Sequence, residues 1–210
     1  MKILIVAATR NELAGFCQSF NLPDEDFIQT PLFDLLFTGV GMTATAFSLG
    51  QYLPHSYHMV VNLGIAGCYD RNVPLGTLLN ITMDTFAEFG AEDHDAFLPV
   101  EELGFGKSTF VQKHTPDFEQ LIHMPQVSGI TVNRVHGNAE SIRQISARLN
   151  PVTESMEGAA VFYCCEQIGL PCLQVRSISN YVEPRNRAAW QIDLALKNLN
   201  KWAIDFLTNY

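Results

Sequence analysis

Positive charge is scarce in this chain. Thirteen Lys and Arg stand against 22 Asp and Glu, a formal net charge of −9 over 210 residues. Nucleic-acid backbones and anionic membranes repel such a surface, so neither is expected as the main partner. No stretch approaches the roughly 20 apolar residues that cross a bilayer. The apolar start at residues 3–8 is short and runs straight into Thr9-Arg10-Asn11-Glu12 without a small-residue cleavage site, unlike a secretory signal. Five cysteines (Cys17, Cys68, Cys164, Cys165 and Cys172) form no CxxC pair, and their number is odd. Buried free thiols of a reducing compartment fit this better than a disulfide framework or a zinc site. His55 and His58 flank a loop with no third ligand nearby, and Glu92-Asp93-His94-Asp95 reads as a solvated acidic loop. No metal and no cofactor is expected. No cysteine has a setting that favours a Cys–His nucleophile. Repeats, low-complexity tracts and linkers are missing too. A soluble, cytoplasmic protein of one domain spanning 1–210 is the expectation.

The chain is rich in apolar residues, 47% of the total, arranged as short runs alternating with longer helical patterns. That alternation predicts a central sheet between helices. Strands are expected at 3–8, 33–38, 59–63, 77–86, 127–132, 152–156 and 172–178. Helices are expected from Gly39-Val40-Gly41 to about Leu53, stopped by Pro54, and at 139–149, 158–168 and 190–207. Gly64-Ile65-Ala66-Gly67 reads as a tight loop after the third strand. Residues 87–107 read as a long excursion loop, a length that is commonly functional. The predicted fold class is α/β, a three-layer α/β/α domain with a mixed central sheet.

Polar residues gather where strands end, and α/β folds hold their ligands there. Four clusters stand out: Thr9-Arg10-Asn11-Glu12, Gly64-Ile65-Ala66-Gly67, Glu154-Ser155-Met156-Glu157-Gly158 and Arg176-Ser177-Ile178-Ser179-Asn180. Glu12, in the first turn after a strand, serves either the helix dipole or catalysis. Glu157 lies where an apolar strand becomes an apolar helix, so burial is expected, and a buried carboxylate needs several donors. A sugar diol supplies two such donors; pairing with Arg176 is the bland alternative, and the two can coexist. The glycines of 64–67 serve a turn or the close approach of a ligand. Asn180 is either a turn residue or a binding group.

Taken together, and in this order along nearly the whole chain, the clusters resemble the nucleoside phosphorylase/nucleosidase superfamily, in its methylthioadenosine/adenosylhomocysteine nucleosidase branch. A narrower resemblance is to the futalosine hydrolases of the alternative menaquinone pathway. It is carried by Phe89-Gly90-Ala91-Glu92-Asp93, by Glu154 to Ala160, and by Arg176-Ser177-Ile178-Ser179-Asn180-Tyr181-Val182-Glu183-Pro184-Arg185. The resemblance implies a nucleoside phosphorylase-like fold and release of hypoxanthine from futalosine, leaving dehypoxanthine futalosine. It implies Glu12 as the base that deprotonates water, and Glu157 as the acceptor for the ribose hydroxyls. Arg176 and Ser179 would orient neighbouring side chains. Ile65, Ala66, Gly67, Val135 and Met156 would line the nucleoside pocket, with Phe89 and Phe86 as walls, although Phe86 suits a core as well. A homodimer or larger homo-oligomer is implied in the same way.

Asn180 departs from the adenine-directed enzymes of that branch, which resemble one another in an Asp there. An amide offers both a donor and an acceptor, which suits the O6 acceptor of hypoxanthine. It does not supply a proton. Three rivals stay open. A phosphorylase would need a basic anion site, for which Arg10 alone is a thin basis. A methylthioadenosine/adenosylhomocysteine nucleosidase is disfavoured by Asn180. A non-catalytic nucleoside sensor would have little use for both Glu12 and Glu157.

Overall fold

The computed structural model describes residues 2–53, 57–113 and 118–210. Eleven strands and five α-helices are found among them. In chain order they are β1 (Lys2–Ala7), α1 (Ala14–Ser19), β2 (Phe27–Gln29), β3 (Phe33–Phe37), α2 (Met42–Tyr52), β4 (Tyr57–Cys68), β5 (Leu78–Phe86) and β6 (Gly90–Asp93). There follow β7 (Ala96–Pro99), β8 (Thr109–Val111), β9 (Gln126–Thr131), α3 (Ala139–Leu149), β10 (Thr153–Ser155), α4 (Gly158–Gln167), β11 (Cys172–Tyr181) and α5 (Ile192–Thr208).

The apolar runs become strands because both faces of the sheet are covered. Along β1, Ile3, Ile5 and Ala7 point into one core with Phe16 of α1 and Trp202 and Phe206 of α5. Leu4 and Val6 point the other way, against Leu49 of α2 and Val161 and Phe162 of α4. A period of two on the strand thus sorts its side chains between two helical layers. The mixed sheet runs β10-β9-β5-β11-β4-β1-β3-β2, with β8 on the edge of β5. Its centre, from β11 through β4 and β1 to β3, is parallel. The expected three-layer α/β/α arrangement is therefore what forms.

Two expectations need correction. Residues 64–67 are not a loop: β4 continues through them to Cys68, held by β11 on one side and by β10 on the other. The excursion at 87–107 contains an antiparallel hairpin, β6 with β7, where a structureless loop was expected. β2 and β8, each three residues long, carried too little pattern to be read. Pro54 and His55 lie outside the described residues. Among those residues no helix is long and apolar enough to cross a membrane. The five cysteines are free thiols, four of them buried.

The doubled pairing of β10 shapes the site. β10 pairs parallel to β9 and antiparallel to the end of β4. β9, β5, β11, β4 and β10 so close a ring at one end of the sheet. Closure turns the carboxyl ends of β1, β4, β10 and β11 toward a common space.

Candidate active site

Glu12 rises from a 3-10 turn, Arg10–Leu13, that begins directly at the end of β1. Thr9 holds it, donating to Oε2 from its backbone N–H at 3.0 Å and from its hydroxyl at 3.2 Å. The Ile65 N–H donates to Oε1 at 3.2 Å. α5 pins the turn from below: Asn200 Nδ2 donates to the Glu12 carbonyl at 2.8 Å, while Asn200 Oδ1 accepts from the Phe16 N–H at 2.7 Å. The carboxylate borders a cavity yet is closely surrounded by protein. Burial raises its pKa above the ordinary value, Arg176 opposes the rise, and the nearby Glu157 adds to it.

Glu157 is the residue preceding α4, is buried, and turns Oε1 toward the start of α2, where the Gly41 N–H donates at 2.9 Å. Gly41 has φ +94°, a backbone setting that favours glycine. The alternative pairing of Glu157 with Arg176 does not form: among the described residues the Arg176 guanidinium has no ion pair within salt-bridge distance. It lies beneath β4 at 2% exposure, donates to Gln174 Oε1 at 3.4 Å, and leaves Nε unpartnered. Gly64 explains how it fits. A Cβ there would come within 3.0 Å of both Arg176 Nη1 and Glu12 Oε1. The same holds at Gly67, where a Cβ would fall 2.9 Å from Val182 Cγ2 and 3.2 Å from Asn180 Nδ2. These glycines admit neighbouring side chains, not a turn.

Asn180 lies beyond a register shift in β11, opposite Gly67. Its Oδ1 accepts from Ser179 Oγ at 2.8 Å and its Nδ2 donates to the Tyr181 carbonyl at 3.0 Å, which sets the amide's orientation. One N–H of Nδ2 remains for a ligand. Ser179 Oγ also reaches the Ala66 carbonyl at 3.2 Å.

A cavity of about 300 Å³ is bounded by Glu12, Ile65, Ala66, Gly67, Val135, Met156, Glu157, Ser179 and Asn180 together. Arg176, Phe89 and Phe86, singled out in the sequence, do not reach its wall. Arg176 lies beneath the strand, and Phe89 lines a neighbouring cavity of about 500 Å³ with Met42, Phe86, Lys107 and Tyr163. Phe86 does both things considered for it: it packs against the core and lines that second cavity.

Sequence reading gave several groups no role of their own, Glu154 and Arg185 among them, although both stand in the segments that carry the resemblance. His136 and Glu154 line the first cavity, as do Arg185 and Trp190. Beneath the site runs a buried polar chain. Asn62 Nδ2 donates to Gln174 Oε1 at 2.7 Å, and Gln174 Nε2 donates to Asp84 Oδ2 at 2.8 Å. Thr131 Oγ1 donates to Asp84 Oδ1 at 2.9 Å and accepts from the Ala159 N–H at 2.7 Å. Burial pushes the Asp84 carboxyl up to about 6, against its hydrogen bonds from Gln174 and Thr131 and the charge of Arg176. Each of these residues sits in a strand among apolar neighbours, where sequence gives no partner. Arg10 faces away from Glu12: it donates to the Pro23 and Glu25 carbonyls at 3.0 and 2.6 Å and pairs with Asp24.

Residues 2–208 match the phosphorylase superfamily, and the chain belongs to it. Within it, the chain is similar to futalosine hydrolase of Streptomyces coelicolor, with 31% identity over 95% of this chain and 92% of that protein. Futalosine hydrolase of Thermus thermophilus is 25% identical over 80% of this chain and 77% of its own. Among solved structures, 5′-methylthioadenosine/S-adenosyl homocysteine nucleosidase of Helicobacter pylori superposes with TM-score 0.83 at 17% identity, covering 100% of this chain and 99% of that one. Futalosine hydrolase of the same organism gives TM-score 0.80 at 18% identity, covering 100% and 98%.

Proposed function

We propose that this chain is an N-glycosyl hydrolase that cleaves futalosine to hypoxanthine and dehypoxanthine futalosine, a step of menaquinone biosynthesis. The observation that carries this reading is that Glu12 and Glu157, far apart in sequence, line one cavity. Breaking the glycosidic bond builds positive charge on the sugar and negative charge on the purine. Glu12 deprotonates the attacking water, and burial, by raising its pKa above the ordinary carboxylate value, makes it a stronger base. Glu157 accepts the ribose hydroxyls and favours the cationic sugar electrostatically. Arg176, buried below, holds Glu12 and its surroundings in charge balance.

Asn180 meets the purine edge, and its free N–H suits the O6 acceptor of hypoxanthine. Ile65, Ala66, Gly67, Val135 and Met156 enclose the nucleoside, and Ser179 orients Asn180. The second cavity adjoins the first along segments 40–43, 133–135 and 156–160, and its aromatic wall suits the phenyl part of the substrate's carboxyphenyl end. The acidic lining of the first cavity, with Glu12, Glu154, Glu157 and Glu183 against Arg185 and His136, disfavours phosphate as the nucleophile. We place the protein in a homo-oligomer, since Val40, Phe47, Phe89 and Tyr163 are exposed on or beside the elements lining the second cavity.

The test is chromatography of products from futalosine, aminofutalosine and methylthioadenosine, each with and without phosphate. Phosphate-independent hypoxanthine release from futalosine, well ahead of base release from the other two, is the expected result. Base release that needs phosphate, or none from futalosine, rejects the reading.

A further inference from the structure

Hydrolysis of a purine nucleoside needs a proton on the departing base as well as a base for the water. Asn180 has no proton to give. Glu12 is committed to the water, and Glu157 to the Gly41 N–H and the sugar. Glu183 is paired with Arg71, and the Tyr181 hydroxyl donates away from the cavity to the Val73 carbonyl at 3.0 Å. The Arg185 guanidinium lies over the Trp190 ring. Of the other groups on the wall, His136 has a ring nitrogen to spare, whereas Glu154 is taken up by that imidazole and by Tyr69.

His136 stands in the segment between β9 and α3, on the cavity wall. Its backbone N–H donates to Glu154 Oε1 at 2.8 Å, and its Nδ1 contacts Glu154 Oε2. Glu154 is buried at 4% exposure, and its Oε2 also accepts from the Tyr69 hydroxyl at 2.7 Å. A carboxylate so enclosed fixes the imidazole with Nδ1–H toward Glu154. Among the described residues Nε2 has no protein partner, so it is the atom left for a ligand. The register decides which end of the cavity it serves. Gly67 of β4 pairs with Glu154 of β10 on one side and with Asn180 of β11 on the other. The imidazole therefore sits at the Asn180 end, where the purine lies in the reading above.

We propose that His136, oriented by Glu154 and Tyr69, is the acid that protonates the departing purine. The inference rests on the hydrolase reading. As the glycosidic C–N bond breaks, its electron pair goes to the purine and the Nε2 proton passes to an acceptor atom on the base. Water supplies the new C–O bond and gives its proton to Glu12. The products are the neutral purine and the free sugar hydroxyl, and the Glu12 proton returns to the imidazole through solvent. Glu154 and Tyr69 are positioning residues. The titratable and charged groups about the ring are Glu154 from β10, Tyr69 from the turn after β4, and Glu183 and Arg185 from the segment after β11.

The experiment measures kcat and KM for futalosine against pH in the parent, His136→Gln and Glu154→Gln. In the parent, kcat falls at alkaline pH as the acid is lost. His136→Gln lowers kcat by about 10²–10⁴-fold, leaves KM within about threefold, and abolishes the alkaline limb. Near-parental kcat, or an unchanged alkaline limb, overturns the proposal. Should His136→Gln fail to fold, Glu154→Gln decides: its alkaline limb moves to lower pH, and an unmoved limb overturns the proposal. A parent that releases no hypoxanthine defeats the substrate reading and this inference together. An active parent with indifferent variants removes only the role of His136.

Discussion

Glu12 gains its chemical character from burial and from its neighbours. Desolvation and the nearby Glu157 push its pKa up, while Arg176 and the N–H groups of Ile65 and Thr9 hold it down. Proton binding in acid therefore inactivates the base at a pH above the ordinary carboxylate value of 4.5. Glu12→Gln keeps the fold and loses about 10²–10⁴-fold in kcat, together with the acidic limb of the pH profile. Steady-state rates from acid to neutral pH check both, and near-parental turnover rules out this base. In the proposed reaction Asn180 sets the polarity met by the edge of the purine. Asn180→Asp replaces a donor by an acceptor and raises the ratio of kcat/KM for adenosine over inosine by about tenfold or more. An unchanged ratio removes the polarity argument. Both residues stood out in the sequence because each lies at or shortly after the end of a strand.

Strands in this molecule carry the site as much as its loops do. β4 is twelve residues long, and its residues 64–67 read as a loop because glycines after an apolar run usually signal a turn. The glycines are instead demanded by bulk on neighbouring elements. Gly64→Ala would drive a methyl into the Arg176 guanidinium and toward the Glu12 carboxylate. Its cost is about 1–3 kcal/mol of overpacking, and kcat falls with it because Glu12 is displaced. Urea denaturation and futalosine turnover test this; parental values of both would mean that Arg176 has another place to go. The α3 bounds, in contrast, are those expected, 139–149. Asn138 caps the first turn through the N–H groups of Glu140 and Ser141, and Asn150 ends the last with φ +43°. Local chemistry suffices for caps, whereas the partner that a glycine admits is decided elsewhere in the chain.

At the scale of the whole molecule, the buried polar chain under the site links stability to pH. Asp84 has its pKa raised from 3.8 to about 6, so the folded state holds a proton that the unfolded chain releases. Stability from this group is full below 3.8 and is lost as pH rises through about 6. Asp84→Asn removes that slope, a change of at most about 1.4 kcal/mol per pH unit. Urea unfolding at several pH values between acid and neutral checks it, and an unaltered slope means that Asp84 stays ionised in the fold. The exposed aromatic face has its own consequence. Phe47 is 68% exposed on α2. Phe47→Arg is expected to turn a homo-oligomer into a monomer in sedimentation, and a parent that already sediments as a monomer ends that proposal.

The sequence by itself determined the layers and the strand ends. Period-two and helical patterns are local, and they sorted β1 between two cores and located Glu12, Glu157 and Asn180 at chain positions where ligands gather. It also carried the family likeness, because those clusters stand in a fixed order. Only the tertiary structure decided which of them share a cavity, and why glycine occupies positions 64 and 67. It alone joined His136 to Glu154, and Asp84 to Gln174 and Thr131. Those contacts depend on β10 closing the ring between β9 and β4, and strand pairing across such distances is a property of the folded chain as a whole, which no local pattern encodes.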